Sequence, residues 1–318
     1  MLLAALSAGA QTSHVATLSH DGNISTFYSS NALVSALKAA VDGDIITLSS
    51  GTFTAPQKIT KNVTIRGAGM ILEEDPTVLT GTFNVAITTQ DSPHKLVMEG
   101  LYLNERVDIY GCRNAQFVKC WFETETWLSN SSSYGGAPFN YLFLHCVFNN
   151  GLYGSKGENG TINNCLISKG RAHFSNSQVV NTTFNDITSW EVQKNSFTNC
   201  IIKSKKTSTS STNSMGSNNT AVYCTYIGNA KNYWQYHQST TNTIIPEDTQ
   251  VFKDGTFYEL LDNLKTTWLG NDGTQRGMYG SNWPFDPTTT NPRITKFNVA
   301  KKTTADGKLP VEIEVEAN

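Results

Sequence analysis

The chain has 318 residues, a net charge of -2, 38% apolar residues and 16% charged ones, and no basic stripe, so it lacks the electrostatic footprint that nucleic acid requires. No apolar run reaches the length that crosses a bilayer as a helix. The polar remainder is mostly Ser, Thr, Asn, Gln and Gly, which suits a turn-rich β protein with a neutral, hydroxyl-bearing surface.

In chain order, residues 1–10 form a short apolar run ending in Ala8-Gly9-Ala10, a small-residue cleavage pattern without a basic lead. They read as the remnant of a secretory signal peptide, and they predict a protein exported to the periplasm, the cell surface or the medium. Residues 11–29 are polar and aperiodic, an irregular lead-in. Leu33, Ala36, Leu37, Ala40 and Val41 then recur at helical spacing, behind Ser29, Ser30 and Asn31 and ahead of Gly43. This predicts a helix that covers the first open rung of the strands to come. Strands are predicted at 44–48, 61–65 and 83–87.

From Leu96 to Tyr226 a phrase repeats in which a small or thiol residue precedes a bulky apolar one by two places. The marked residues are Gly100, Cys120, Cys146, Cys165, Thr182, Cys200 and Cys224, spaced by 20, 26, 19, 17, 18 and 24, and Gly67 fits the same frame. Units this short hold no helical crossover, and their period is that of one solenoid coil. Phe117, Phe143, Ile162, Val179 and Phe197 stand three places before the mark. They have the wrong parity to share its side of an unbroken strand, so a bend must intervene. Lys119, His145, Asn164, Asn181 and Asn199 occupy that bend, where asparagine tolerates left-handed backbone and can hydrogen-bond between coils. The marked cysteines therefore stack in one core column, and parallel Cβ vectors predict buried free thiols rather than disulfides. Ser/Gly/Asn-rich insertions at 129–138 and 204–218 account for the two long spacings.

After Tyr226 an aromatic cluster fills 231–238, and short strands are predicted at 243–245 and 251–252. Phe257, Leu260, Leu261 and Leu264 predict a closing helix. Turn signals at 271–274 and 277–280 mark the end of the solenoid, and Pro284, Pro287 and Pro292 mark a linker. Segments 294–299 and 309–315 alternate around Asp306-Gly307, a hairpin signature. The solenoid with its helical cap thus covers 30–287, and 288–318 form the hairpin cover.

Several segments carry a family resemblance: Asp42-Gly-Asp-Ile-Ile-Thr-Leu-Ser-Ser-Gly-Thr-Phe53, Asn62-Val-Thr-Ile-Arg-Gly67, the Asn-Cys units to Tyr226, and Asn271–Gly280 with Pro284-Phe285. On these the chain resembles the pectin-lyase-like superfamily and, more narrowly, exported β-helix proteins of gut Bacteroidetes. The resemblance implies an all-β fold, a single-stranded right-handed parallel β-helix with an N-terminal capping helix and a C-terminal hairpin. It also implies Asn and aliphatic ladders at the bend and, often, sugar-polymer substrates.

The chemistry of that superfamily is not written in its usual motifs. Arg-x-Pro-x-x-Arg, Asn-Thr-Asp, Asp-Asp and His-Gly are all absent, and Glu123 and Glu125 share one strand or turn rather than flanking a bond. No spacing matches a zinc or calcium site, so no metal or cofactor is expected. The strand six to nine residues after each mark is the best candidate surface. It would present Arg106, Asp108, Trp127, Tyr153, Arg171, His173, Trp190, Glu191, Tyr233 and Trp234, with Tyr236 and His237. Such aromatics could equally point inward as core, with Trp127, Tyr153 and Trp190 the test cases. The expected partner is a polysaccharide or cell-surface glycan, bound along one face without catalysis. The alternatives are a lyase or hydrolase centred on Arg171 and His173, and a structural, adhesin-like surface protein.

Overall fold

The structure, a computed structural model, describes residues 14–89, 91–154, 156–204, 218–228, 239–289, 293–299, 304, 306–308 and 311–316. The expected signal remnant and most of the second insertion lie outside these residues.

Short alternating strands broken by left-handed residues wind into coils with three parallel-stranded faces, the first two belonging to one 19-stranded sheet and the third forming a 7-stranded sheet. The first face carries Ile45–Leu48, Thr64–Arg66 and the leading halves of Val97–Leu103 and Gln116–Phe122. It continues through Leu142–Leu144, Gly160–Asn163, Ser177–Val180, Ser196–Thr198 and Thr220–Val222. The second face carries Gly51–Thr54, Thr77–Thr80, the trailing halves of those two long strands, Val147–Phe148, Leu166–Ser168, Thr183–Ile187, Ile201–Ser204, Thr225–Ile227 and Thr243–Ile245. The third runs from Lys58–Ile59 through Phe83–Val85, Val107–Ile109, Thr126–Leu128, Gly151–Tyr153 and Arg171–Ser175 to Ser189–Gln193. An all-β stack of long parallel sheets is consistent with a β-solenoid.

The bend between the first two faces is where the repeat predicts it. Lys119, His145, Asn164, Asn181, Asn199 and Tyr223 all have positive φ, between 44° and 57°. The register corrects one detail. Val118 pairs with Glu99 and Cys120 with Leu101, which puts Gly100 opposite Lys119, in the bend rather than in the cysteine column. Arg66 pairs with Glu99, so Gly67 belongs to the bend position too. A Cβ on Gly67 would lie 2.3 Å from the Gly100 carbonyl oxygen, so only glycine lets these two backbones approach.

Two apolar columns flank the bend. One runs Ile46, Ile65, Met98, Phe117, Phe143, Ile162, Val179, Phe197 and Ala221; the other runs Phe53, Leu79, Leu103, Phe122, Phe148, Ile167, Phe184, Ile202 and Tyr226. All are buried. Between them lies the cysteine column, whose thiols are all free. The bend turns a carbonyl of the same strand toward each thiol: Cys165 donates to Asn163 O at 3.2 Å and Cys200 to Thr198 O at 3.3 Å. Thr182 fills the same slot because its hydroxyl makes the same bond, to Val180 O at 3.0 Å. Burial raises the thiols of Cys120, Cys165 and Cys200, and pushes Cys112 up to about 12.

The coil-to-coil asparagine ladder is at another corner, between the third face and the first. There the side chain of Asn140 donates to Asn114, Asn159 Nδ2 donates to Asn140 Oδ1 at 3.0 Å, and Asn195 Nδ2 donates to Asn219 Oδ1 at 3.1 Å. The bend asparagines instead reach outward, as described below.

The described part of the lead-in is regular rather than irregular. Val15–His20 and Asn23–Tyr28 form an antiparallel hairpin whose first strand also pairs antiparallel with Ile45–Leu48. The helix spans Ala32–Ala39 and buries Ala32, Leu33, Ala36 and Leu37 against these strands. Lys61 Nζ donates to the carbonyls of Leu37 and Ala40, serving the orphan acceptors at its C-terminus. The closing helix is shorter than the spacing predicts, Asp262–Lys265, because Leu260 leaves helical backbone to pack with Ile201, Ile227, Val251 and Trp268.

Residues 270–289, which carry the predicted end signals and two of the predicted linker prolines, form a strap that runs back along the bend column. Asn199 exchanges bonds with Asn271, and Gly277 N donates to Asn199 O at 2.8 Å. Asn164 Nδ2 donates to the carbonyls of Met278 and Gly280, both at 2.8 Å. Lys119 Nζ meets Asp286 at 3.0 Å and the Thr288 carbonyl. Thr289 lies over Gly100 and donates to Ala68 O at 3.4 Å. At the near end Arg276 is buried and donates to Leu269 O, Cys224 O, Thr241 O and the hydroxyls of Thr225 and Thr243. Beyond the strap, Arg293–Val299 pairs antiparallel with Val311–Glu316.

Candidate functional site

The strap and the segment before it cover the outer side of the second face. Val147, Leu166 and Trp121 there pack under Met278, Phe285 and Phe257. The first face turns polar and aliphatic side chains outward, among them Gln116, Thr161, Gln178 and Val222. Charge and aromaticity concentrate on the third face.

On that face alternation sends Val107, Ile109, Leu128, Leu152, Ala172, Phe174 and Val192 inward, where all are buried. The residues between them form one outward column. Lys58 pairs with Asn84, Asn84 with Asp108, Asp108 with Trp127 and Trp127 with Tyr153. Tyr153 lies beside His173, with ring centroids 6.0 Å apart, and His173 pairs with Glu191. Five predicted residues, Asp108, Trp127, Tyr153, His173 and Glu191, therefore come together in a line, with Arg106 and Arg171 beside it on the same side of their strands.

The ring faces in this line stack on one another. Arg106 lies over Trp127 with Cζ 4.8 Å from the ring, Trp127 stacks on Tyr153 at 5.0 Å and 24°, and Arg171 lies over Tyr153 at 5.8 Å. Arg106 also grips Asp108 with two nitrogens at 2.8–3.1 Å, a bond that raises the guanidinium pKa further. Trp127 Nε1 donates to Glu125 Oε2 at 2.9 Å. His173 stands 3.5 Å from Glu191 and 3.3 Å from the Ser189 hydroxyl; burial lowers its pKa against the pull of Glu191, so the imidazole is neutral near pH 7. Arg171 is exposed and forms no salt bridge among the described residues.

Trp190 is a correction. It points into the core, 3% exposed and packed on Phe184, with Nε1 donating to Ser204 Oγ at 2.9 Å. The turn from the second face varies in length, so a window of six to nine residues after the mark does not fix the parity, and in that coil Trp190 falls on the inward side. Tyr233, Trp234, Tyr236 and His237 lie outside the described residues.

The sequence reading missed Lys58 and Tyr134. Lys58 Nζ sits 4.0 Å over the Tyr134 ring, and Tyr134 packs edge-on to Tyr110. Tyr134 comes from the first Ser-rich insertion, which folds back so that Gly136 O accepts from Gly111 N. The insertion thus lies beside the early coils of the third face, a placement its composition alone does not encode.

Chemically, the column offers the exposed Arg171 guanidinium, a neutral imidazole, the exposed Glu191 carboxylate and the partly exposed Trp127 ring, whereas Asp108 and Tyr153 are themselves buried, at 7% and 6% exposure. Among the described residues no group of three or more His, Cys, Asp and Glu side chains is placed to hold a metal. No helix among the described residues is long and apolar enough to cross a membrane. A shallow groove of about 390 Å³ lined by Ser49, Gly51, Leu72 and Asp75 lies in the early coils and touches none of these groups. No protein-family model and no curated protein matches the sequence.

Proposed function

We propose that the protein is an exported, right-handed β-helix of the pectin-lyase-like kind that binds a glycan along its third face without cleaving it. The observation that carries this reading is the register column Asp108, Trp127, Tyr153, His173 and Glu191, flanked by Arg106 and Arg171, on a face that residues 270–289 do not cover. A linear polymer suits it, because recognition groups recur at the inter-strand spacing of about 4.8 Å along one axis. The aromatic faces are taken up by stacking, so recognition runs through a ring edge and polar groups: Arg171 and Glu191 toward hydroxyls or carboxylates, with Trp127 as a rigid apolar wall backed by the buried Tyr153.

Catalysis finds less support. His173 is the one neutral base in the line, and its acidic neighbour Glu191 lies on the same column, not across a scissile bond. The test is affinity electrophoresis through a panel of polysaccharides, run beside an assay for new reducing or unsaturated ends. Retention by at least one glycan, weakened in Arg171→Ala and Trp127→Ala and without product, is the expected result. Product formation that disappears in His173→Ala would establish the enzyme instead, and no retention by any glycan would leave the structural, adhesin-like role.

A further inference from the structure

His145 is the bend residue that meets the middle of the strap, and it differs from its neighbours in the column. Asn164 and Asn199 serve the strap with neutral amides, and Lys119 serves it with a charge matched by Asp286. His145 is fully buried. Its Nε2 lies 3.2 Å from the Trp283 carbonyl, so the neutral tautomer donates there, and its Nδ1 is buried with no partner. Two strap rings close over the imidazole, Trp283 edge-on at 5.4 Å and Phe285 at 6.1 Å.

A second proton would have to go on Nδ1. It would place a new N–H donor where no acceptor waits and a positive charge in a site walled by aromatic rings. The charged and titratable groups facing it are Lys119 and Cys146 from the coils and Asp286 from the strap. Lys119 repels the imidazolium. Asp286 attracts it but is already engaged by Lys119 Nζ and by Thr288 N.

We propose that residues 276–289 form a proton-gated clasp: protonation of His145 loosens this segment from the bend column and uncovers the apolar outer side of the second face. The sign follows from burial, which holds the docked imidazole below its ordinary value of 6.5, with Lys119 acting the same way. The undocked state therefore binds more protons as pH falls below about 6.5, and docking, complete above that pH, weakens progressively beneath it. Asp286 does not mimic the effect, because its own pKa is held below 3.8 by its bonds to Thr288 and Lys119.

Hydrogen exchange read at single amides tests the clasp on the full chain. Gly277 N and Met278 N donate across to Asn199 O and the Thr183 hydroxyl and so report strap docking. After correction for intrinsic rates, these two amides should show a severalfold rise in opening between pH 8 and pH 5, while Phe117 and Phe143 amides in the core strands do not. In His145→Asn, which places at this bend the residue already used at positions 164, 181 and 199, that rise should vanish. His20 and His173 lie on the N-terminal hairpin and the third face, so their titration leaves these amides unmoved. Opening that is equal at the two pH values in the wild type overturns the proposal even if the variant fails to fold, and so does an undiminished rise in a folded His145→Asn protein.

Discussion

The second and third faces start from similar local chemistry and end differently. Trp121 on the second face donates its indole N–H to Glu123 at 2.8 Å; Trp127 on the third donates to Glu125 at 2.9 Å. Each ring stacks on an aromatic of a neighbouring coil, Trp121 on Tyr102 at 6.0 Å and Trp127 on Tyr153 at 5.0 Å. What separates them arrives from far along the chain. Phe257 comes to 5.6 Å from Trp121 and the strap follows, whereas nothing among the described residues returns over Trp127 except Arg106 of the preceding coil. Whether an outward column is packed over or left uncovered among the described residues thus depends on the chain's return path as well as on its own residues.

That contrast can be broken most forcefully at Arg276. Replacing it with Met strands three backbone carbonyls and two hydroxyls at a mostly buried site, and should cost about 3 kcal/mol or more in urea unfolding, since bonds to a charged donor contribute about 1.5–3 kcal/mol each and are not additive. The two tryptophans sharpen it next. Trp121→Ala should cost about 2–3 kcal/mol, below the full core value because the ring is only partly buried. Trp127→Ala should cost about 1 kcal/mol, the worth of an aromatic pair, while its effect on glycan retention exceeds that of Trp121→Ala. Equal stability losses from the two would show that the second face is not covered in solution.

Smaller effects are expected inside. Cys165→Thr should change stability by no more than about 1 kcal/mol, because Thr182 already fills that slot with the same bond, and a thiol reagent should label no column cysteine before unfolding. The smallest concerns the N-terminal hairpin. Its His20 is raised above 6.5 by its hydrogen bond to Asp44, so this contribution is full below pH 6.5 and fades as pH climbs through the folded value. Amide exchange in Val15–His20 should therefore quicken toward alkaline pH beyond the intrinsic rate, opposite in sign to the clasp.

The core of the fold was legible because strand alternation is arithmetic. Once the bend was inferred from parity, the Phe117 and Phe122 columns and the free cysteines followed. The frame slipped at Gly67 and Gly100 because glycine suits both the small slot and the left-handed bend, and composition does not separate the two. Most of the candidate column was legible by the same offset rule, which failed at Trp190, where Phe184 to Ile187 breaks the register with the next coil. The strap was not legible. Its turn and proline signals describe local backbone truthfully, but its docking depends on bend side chains far away in sequence, and no local period encodes that meeting.

In a stack of repeats each coil ordinarily feels only the coils next to it, and such an assembly can fray from either end. Here one stretch of twenty residues holds on to Cys224 and Thr243 at one extremity and to Ala68 and Gly100 at the other. The coils between them gain a common fate. An internal coil that opened would have to do so under a splint fixed on both sides, so loss of structure should be abrupt and shared, with mid-stack and terminal coils melting at one temperature. Because residues 270–289 follow the coils they bind, the stack can grow coil by coil on the ribosome and acquire that unity only once the splint has emerged.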